Sequence, residues 1–214
     1  MNQHIEDGLE KLNTVLPLYE RQRTLPPDRI EAHRAILSEL AHTGALPDRE
    51  YLADILGDVD EKLAELAKLD LVVLKDGNLV GAYPITVEPT VHNVSVFGHR
   101  IHAMCALDAL SVAPLFQTRT RIQSRCAVSG EAIEIEQDRE TILSAMPTAP
   151  WVGIRWQQTC GHAAHSLCME MVFLKDANTA SDWQAADPPS HSLYSLDEAV
   201  AFGQRFFVPL LRPQ

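Results

Sequence analysis

The chain has 214 residues and a formal net charge of −11, with 46% hydrophobic and 22% charged residues. That size and balance suit a globular protein with a real core; they count against binding to nucleic-acid phosphates, which takes a surplus of Lys and Arg, and against docking on anionic lipid. No run approaches the ~20 apolar residues of a membrane-spanning helix, and residues 1–7 lack the basic and then apolar pattern of a secretory signal; a cytoplasmic location is expected, with the four cysteines as thiols, ligands or nucleophiles before disulfides.

Helical periodicity dominates the first third. Ile30, Ile36, Leu37, Leu40 and Ala41 share one face of a helix over residues 29–42. Pro47 is expected to open a second helix with Tyr51, Leu52, Ile55 and Leu56 inward, and Gly57 to stop it. Val59, Leu63, Leu66 and Ala67, spaced i, i+4, i+7, i+8, mark a third. A hairpin follows over residues 71–74 and 79–83, where Asp76-Gly77 offers the positive φ of a tight turn. Three helices and a hairpin predict a helical, winged-helix-like domain over residues 1–85. That shape can bind DNA or serve as a structural or protein-contact module. Residues 29–85 hold six Lys and Arg against eleven Asp and Glu, a local balance of −5, which favours the second use.

From residue 86 the pattern is mixed. Residues 91–97 read as a strand ending at Gly98, residues 101–110 as a helix ending by Pro114, and residues 118–128 with 132–136 as a hairpin around Ser129-Gly130. Residues 151–156 and 167–174, rich in β-branched and aromatic side chains, read as further strands. A last helix starts at Ser195, where Glu198 completes a capping box, and its apolar positions include Leu196, Val200, Phe206, Phe207 and Leu210. Helices first, then antiparallel strands with flanking helices, predict an α+β fold with a second, mixed domain over residues 86–214.

Three groups of residues could carry chemistry. Cys105 and Asp108 are three apart, so a helix would set a thiol and a carboxylate side by side. Alone, the pair reads as readily as a buried Cys and a solvated Asp. Cys168, on a strand, would face the same way as Glu170 and Val172. Cys126, before the Ser129-Gly130 turn, reads as core filler. Cys160, His162, His165 and Cys168 lie within nine residues and offer zinc ligands, although their spacing matches no standard finger or ribbon.

Several of these stretches resemble the organomercurial (alkylmercury) lyase family, in the same order and at similar spacing. Asp76-Gly77-Asn78-Leu79-Val80-Gly81 resembles the family's hairpin turn, and His102-Ala103-Met104-Cys105-Ala106-Leu107-Asp108 its active-site segment. Cys126-Ala127-Val128-Ser129-Gly130 is similar to its second cysteine segment, and Ser166-Leu167-Cys168 to the segment with its second catalytic thiol. Ala180-Ser181-Asp182-Trp183, Glu198-Ala199 and Phe202-Gly203-Gln204 resemble its C-terminal blocks. The chain departs from the pattern at His102 and Met104, where the family often has aromatics, and at Met169 and Glu170, where some members have Cys and His. Cys160 and its two histidines have no counterpart.

The resemblance implies that residues 86–214 form a mercurial-binding catalytic domain. Cys105 and Cys168 would bind mercury, Asp108 would handle the proton and contact the metal, and the products would be a hydrocarbon and mercury(II). No cofactor is implied beyond mercury(II) held as product and an external small thiol that removes it, with a mercuric reductase as a candidate partner and no nucleic acid or membrane. The alternative is a non-catalytic, thiol-based metal- or mercurial-binding protein on the same fold.

Overall fold

The computed structural model describes residues 2–156 and 167–212. Five helices come first: α1 (Gln3–Val15), α2 (Leu18–Arg23), α3 (Pro27–Thr43), α4 (Arg49–Leu56) and α5 (Val59–Lys68). Their starts are chemical. Asn2, Asp48 and Asp58 stand just outside α1, α4 and α5, and each side chain accepts a first-turn backbone N–H, from His4, Tyr51 and Glu61 respectively. At α4 this corrects the expected opening at Pro47: the Asp48 carboxylate accepts an orphan N–H, and the helix starts two residues later, at Arg49. Gly57 does end α4, with φ +72°, a backbone that side chains disfavour. α1 and α2 pack on the C-terminal helix α8 (Leu196–Leu211). There the Gln22 amide and the Arg34 guanidinium both donate to the Leu210 carbonyl, one of the last four that α8 itself leaves unpaired.

The main sheet has eight antiparallel strands: β1 (Val72–Lys75), β2 (Asn78–Ala82), β3 (Ile85–Thr86), β4 (His92–Val96), β5 (His99–Ala103), β6 (Arg119–Arg125), β7 (Ala132–Asp138) and β8 (Thr141–Met146). Their spatial order is β1-β2-β3-β5-β4-β6-β7-β8. The sheet runs unbroken across residue 85, because β3 pairs with β2 on one side and β5 on the other. A smaller sheet, β10-β9-β11, uses β9 (Trp151–Arg155), β10 (Met171–Leu174) and β11 (His191–Ser195), with α7 (Ala177–Ala185) beside it. The mixed helices and antiparallel sheets make the fold α+β, as the element order predicts.

Between α8 and the sheets lies α6 (Ala106–Phe116), buried at every residue from 106 to 115. Two expectations fail here. Residues 99–103 are strand β5, because alternating burial at Ile101 and Ala103 pairs with β4, so the helix begins only after Cys105. Nor does the helix stop by Pro114. Proline lacks the N–H that would bond the Leu110 carbonyl, but the buried Gln137 amide of β7 donates to that oxygen at 2.9 Å, and α6 continues to Phe116. A third expectation fails at residues 167–174: Leu167–Glu170 form a 3₁₀ turn and only Met171–Leu174 are strand, so Cys168 is buried while Glu170 reaches outward to pair with Arg155. The capping box of Ser195 and Glu198 forms as expected, on α8.

α6 and α8 meet at Gly203, where an added Cβ would lie 2.1 Å from the Ser111 hydroxyl oxygen. That hydroxyl is itself held, donating to the Leu107 carbonyl at 2.6 Å. Gly203→Ala is therefore expected to destabilise the protein by about 1–3 kcal/mol through overpacking. Denaturant unfolding checks this; an unchanged midpoint would show that α8 shifts away freely.

Candidate active site

The start of α6 brings the first two groups together. Cys105 sits at the N-cap in extended backbone (φ −152°, ψ −179°), and its sulfur accepts the Asp108 N–H at 3.3 Å. Asp108 occupies the first turn, where a carboxyl is at home beside free backbone N–H groups. The third group, Cys168, arrives from the 3₁₀ turn that leads into β10. Ligand atoms of Cys105, Asp108 and Cys168 all lie within 4.8 Å of one another. Cys105 is 0%, Asp108 2% and Cys168 4% exposed, so the cluster is shut off from bulk water. Cys105, Cys126 and Cys168 are all free thiols.

Burial sets the protonation. Desolvation raises the Asp108 carboxyl to about 8, against a smaller opposing pull from the side chain and backbone of Cys105. It likewise pushes the Cys105 thiol far above the ordinary range, with the nearby Cys168 thiol and Asp108 carboxyl adding to the rise. At Cys168 the Cys105 thiol acts to lower the pKa, but burial and the Asp108 charge outweigh it and the net direction is up. All three shifts favour the protonated forms, thiol and carboxylic acid, over the ions. Asp108 Oδ2 is buried and finds no hydrogen-bond partner among the described residues. Such orphan atoms are rare in folded proteins and point to use by something not permanently bound.

Two further residues touch the cluster. The Met171 thioether sulfur lies 3.7 Å from the Cys105 sulfur and can accept its S–H. Tyr83 is buried with its hydroxyl close to Cys168, which adds to the burial that drives its own pKa well up. Neither is marked in the sequence: one is a hydrophobic-pattern Met at a strand start, the other an aromatic at the end of a hairpin. Cys126 is buried too, but at the end of β6, where its N–H bonds the Glu131 carbonyl at 2.8 Å, and it is not part of the cluster. Cys160, His162 and His165 of the zinc reading lie outside the described residues.

Residues 85–208, more than half of the chain and all three members of the cluster, match the family described as alkylmercury lyase. The chain belongs to the alkylmercury lyase family. An alkylmercury lyase of Staphylococcus epidermidis is 26% identical over 171 residues, 80% of this chain and 79% of the relative. An alkylmercury lyase of Bacillus cereus is 29% identical over 146 residues, 68% of this chain and 66% of the relative. The fold agrees: the mercury-bound crystal structure of MerB2 superposes with a TM-score of 0.76 at 21% identity, over 90% of this chain and 98% of the other. Within the alkylmercury lyase match, Met171 lies inside the matched residues and Tyr83 falls two residues before them.

Proposed function

We propose that this alkylmercury lyase cleaves organomercurials by protonolysis, with Cys105 and Cys168 as the mercury-binding thiols and Asp108 as the proton carrier. The observation that carries the reading is the buried meeting of two thiols and one carboxyl, their ligand atoms all within 4.8 Å of one another. Mercury(II) is soft and prefers thiolate sulfur. One thiol displaces the ligand X of R–Hg–X and leaves R–Hg–S(Cys), its proton departing with X. The second thiol then adds to mercury. Its proton passes to the leaving carbon through Asp108, whose acid form gives a proton to carbon and whose carboxylate recovers one from sulfur. The hydrocarbon RH leaves and mercury(II) stays bridged by the two sulfurs. Two thiol protons are consumed, one in RH and one with X, and no electrons are taken from outside.

This scheme calls for no organic cofactor. An external small thiol would remove the bridged mercury(II), and a mercuric reductase is a suitable acceptor; a cytoplasmic setting would keep the thiols reduced. We read residues 1–85, with the α3–α5 helices and the β1–β2 hairpin in winged-helix order, as a structural module serving the catalytic domain of residues 86–214. The local charge of −5 supports that use over DNA binding.

The test is direct. Incubating the protein with methylmercury or phenylmercury and excess small thiol is expected to release methane or benzene in step with mercury(II) formation. Mercury bound tightly with no hydrocarbon would replace the lyase by a mercurial-binding protein.

A further inference from the structure

The two thiols are buried, so a substrate needs a way in and a place for its organic group. A pocket of about 290 Å³ is lined by a residue next in sequence to each of them. The apolar part of its wall is Val73, Val80, Pro89, Met104 and Met169. Met104 directly precedes Cys105, and Met169 directly follows Cys168, so both thiol-bearing segments border this one pocket. Met169 is 68% exposed, unusual for so apolar a side chain, while Met104 is nearly buried. Of the polar residues that also line it, Lys75 and Glu88 pair with each other, and the Thr86 and Thr90 hydroxyls donate to the Val80 and Ala103 carbonyls, so the apolar and sulfur surface is what stands uncommitted toward a guest. A larger cavity on α3, lined by Pro27, Ile30, Arg34 and Tyr51, has neither thiol segment in its wall and no sulfur.

We infer that this pocket is the capture site for the organomercury cation: the Met104 and Met169 thioethers make the first soft contact with mercury, and Val73, Val80 and Pro89 receive the organic group. Thioethers suit that role chemically. They are soft enough to attract mercury(II), neutral, and weaker than thiolate, so they can hand the metal on. They are also unbranched and flexible, so the wall can move aside for the transfer to Cys105 and Cys168. The pocket is large enough for a phenyl group and apolar enough to favour it over water. The inference rests on the proposed cleavage reaction and adds to it the residues that meet the substrate before the thiols do.

Steady-state cleavage of methylmercury and phenylmercury by the full chain tests it. The double variant Met104→Leu/Met169→Leu keeps size and apolarity and removes only sulfur. We expect its kcat/KM to fall about 10-fold for both substrates, with the loss in capture and not in kcat, since these sulfurs contact mercury before the reacting complex forms. Val80→Phe fills the pocket, and is expected to lower kcat/KM for phenylmercury about 10-fold more than for methylmercury. Parental kcat/KM in the double variant, or equal losses on both substrates in Val80→Phe, overturns the capture site and leaves the lyase reading standing. No hydrocarbon from the parent protein overturns the lyase reading itself.

Discussion

Asp108→Asn is expected to lower hydrocarbon release by roughly 10²–10⁴-fold, the usual size of a general acid–base contribution, while mercurial uptake through the thiols persists. Asn keeps the shape and carries no transferable proton. Parallel measurement of bound mercury and released hydrocarbon separates the two steps; release at the parental rate would remove Asp108 from the reaction. The same variant should be more stable than the parent near pH 8. The carboxyl titrates near its ordinary 3.8 in the unfolded chain and at about 8 in the folded one. Below about pH 4 both states hold the proton and nothing is lost. Between about 4 and 8 the unfolded chain gives up a proton that the folded one keeps, so the parent's stability falls as pH rises; above 8 the loss is complete. Its full size is on the order of 5 kcal/mol. Asn has no such titration, so the stability gap between variant and parent should widen from pH 4 to pH 8. A gap that stays constant would show that Asp108 is ionised in the fold. Protein near the acid's own titration should also lose activity above about pH 8, as the donor form disappears.

Cys105→Ser and Cys168→Ser are each expected to abolish cleavage. A serine hydroxyl is a hard ligand that stays protonated, so it can neither hold mercury(II) nor add the electron density that weakens the carbon–mercury bond. Because the two sulfurs act on one atom, losing either should cost nearly as much as losing both. Cys126→Ser is the control. That residue is buried outside the cluster, so cleavage should persist and the cost should fall on stability, about 1 kcal/mol for a hydroxyl placed where sulfur packed. Hydrocarbon release by all three variants under one set of conditions decides the matter. Full activity in Cys105→Ser would leave the proposed chemistry without its first ligand.

Much of this was legible in the chain itself where local chemistry dictates the outcome. The helix end at Gly57, the Asp76-Gly77 hairpin, and the Ser195–Glu198 capping box depend on neighbours within a few residues, and they form where the residues say. The start of α6 was not legible. Cys is an uncommon cap, and residues 99–103 join helix-like composition to a two-residue alternation that only β4 rewards. Cys168 read as a strand residue because Leu167–Leu174 is apolar enough for one; the 3₁₀ turn that aims its sulfur at Cys105 is a tertiary result. Met171 and Tyr83 could not be singled out at all. The Met171–Cys105 contact joins residues 66 apart, and exists only once β10 has found β9 and α6 has packed beside it. Met104 and Met169, noted in the sequence only as departures from a family pattern, gain meaning when the fold sets both in the wall of one pocket.

The sulfur that caps α6 is also one of the two offered to mercury. Mercury would take the place of the thiol proton on Cys105 while a lone pair of the sulfur still faces the Asp108 N–H, so the electron density that this amide meets changes with loading. One backbone resonance is thereby an occupancy gauge built into the chain. The amide proton of Asp108 should shift on the thiol-bridged product, then return when a competing thiol strips the metal away. Loading and unloading could be followed at a single nitrogen-15 site, without a chromophore or a label placed near the thiols.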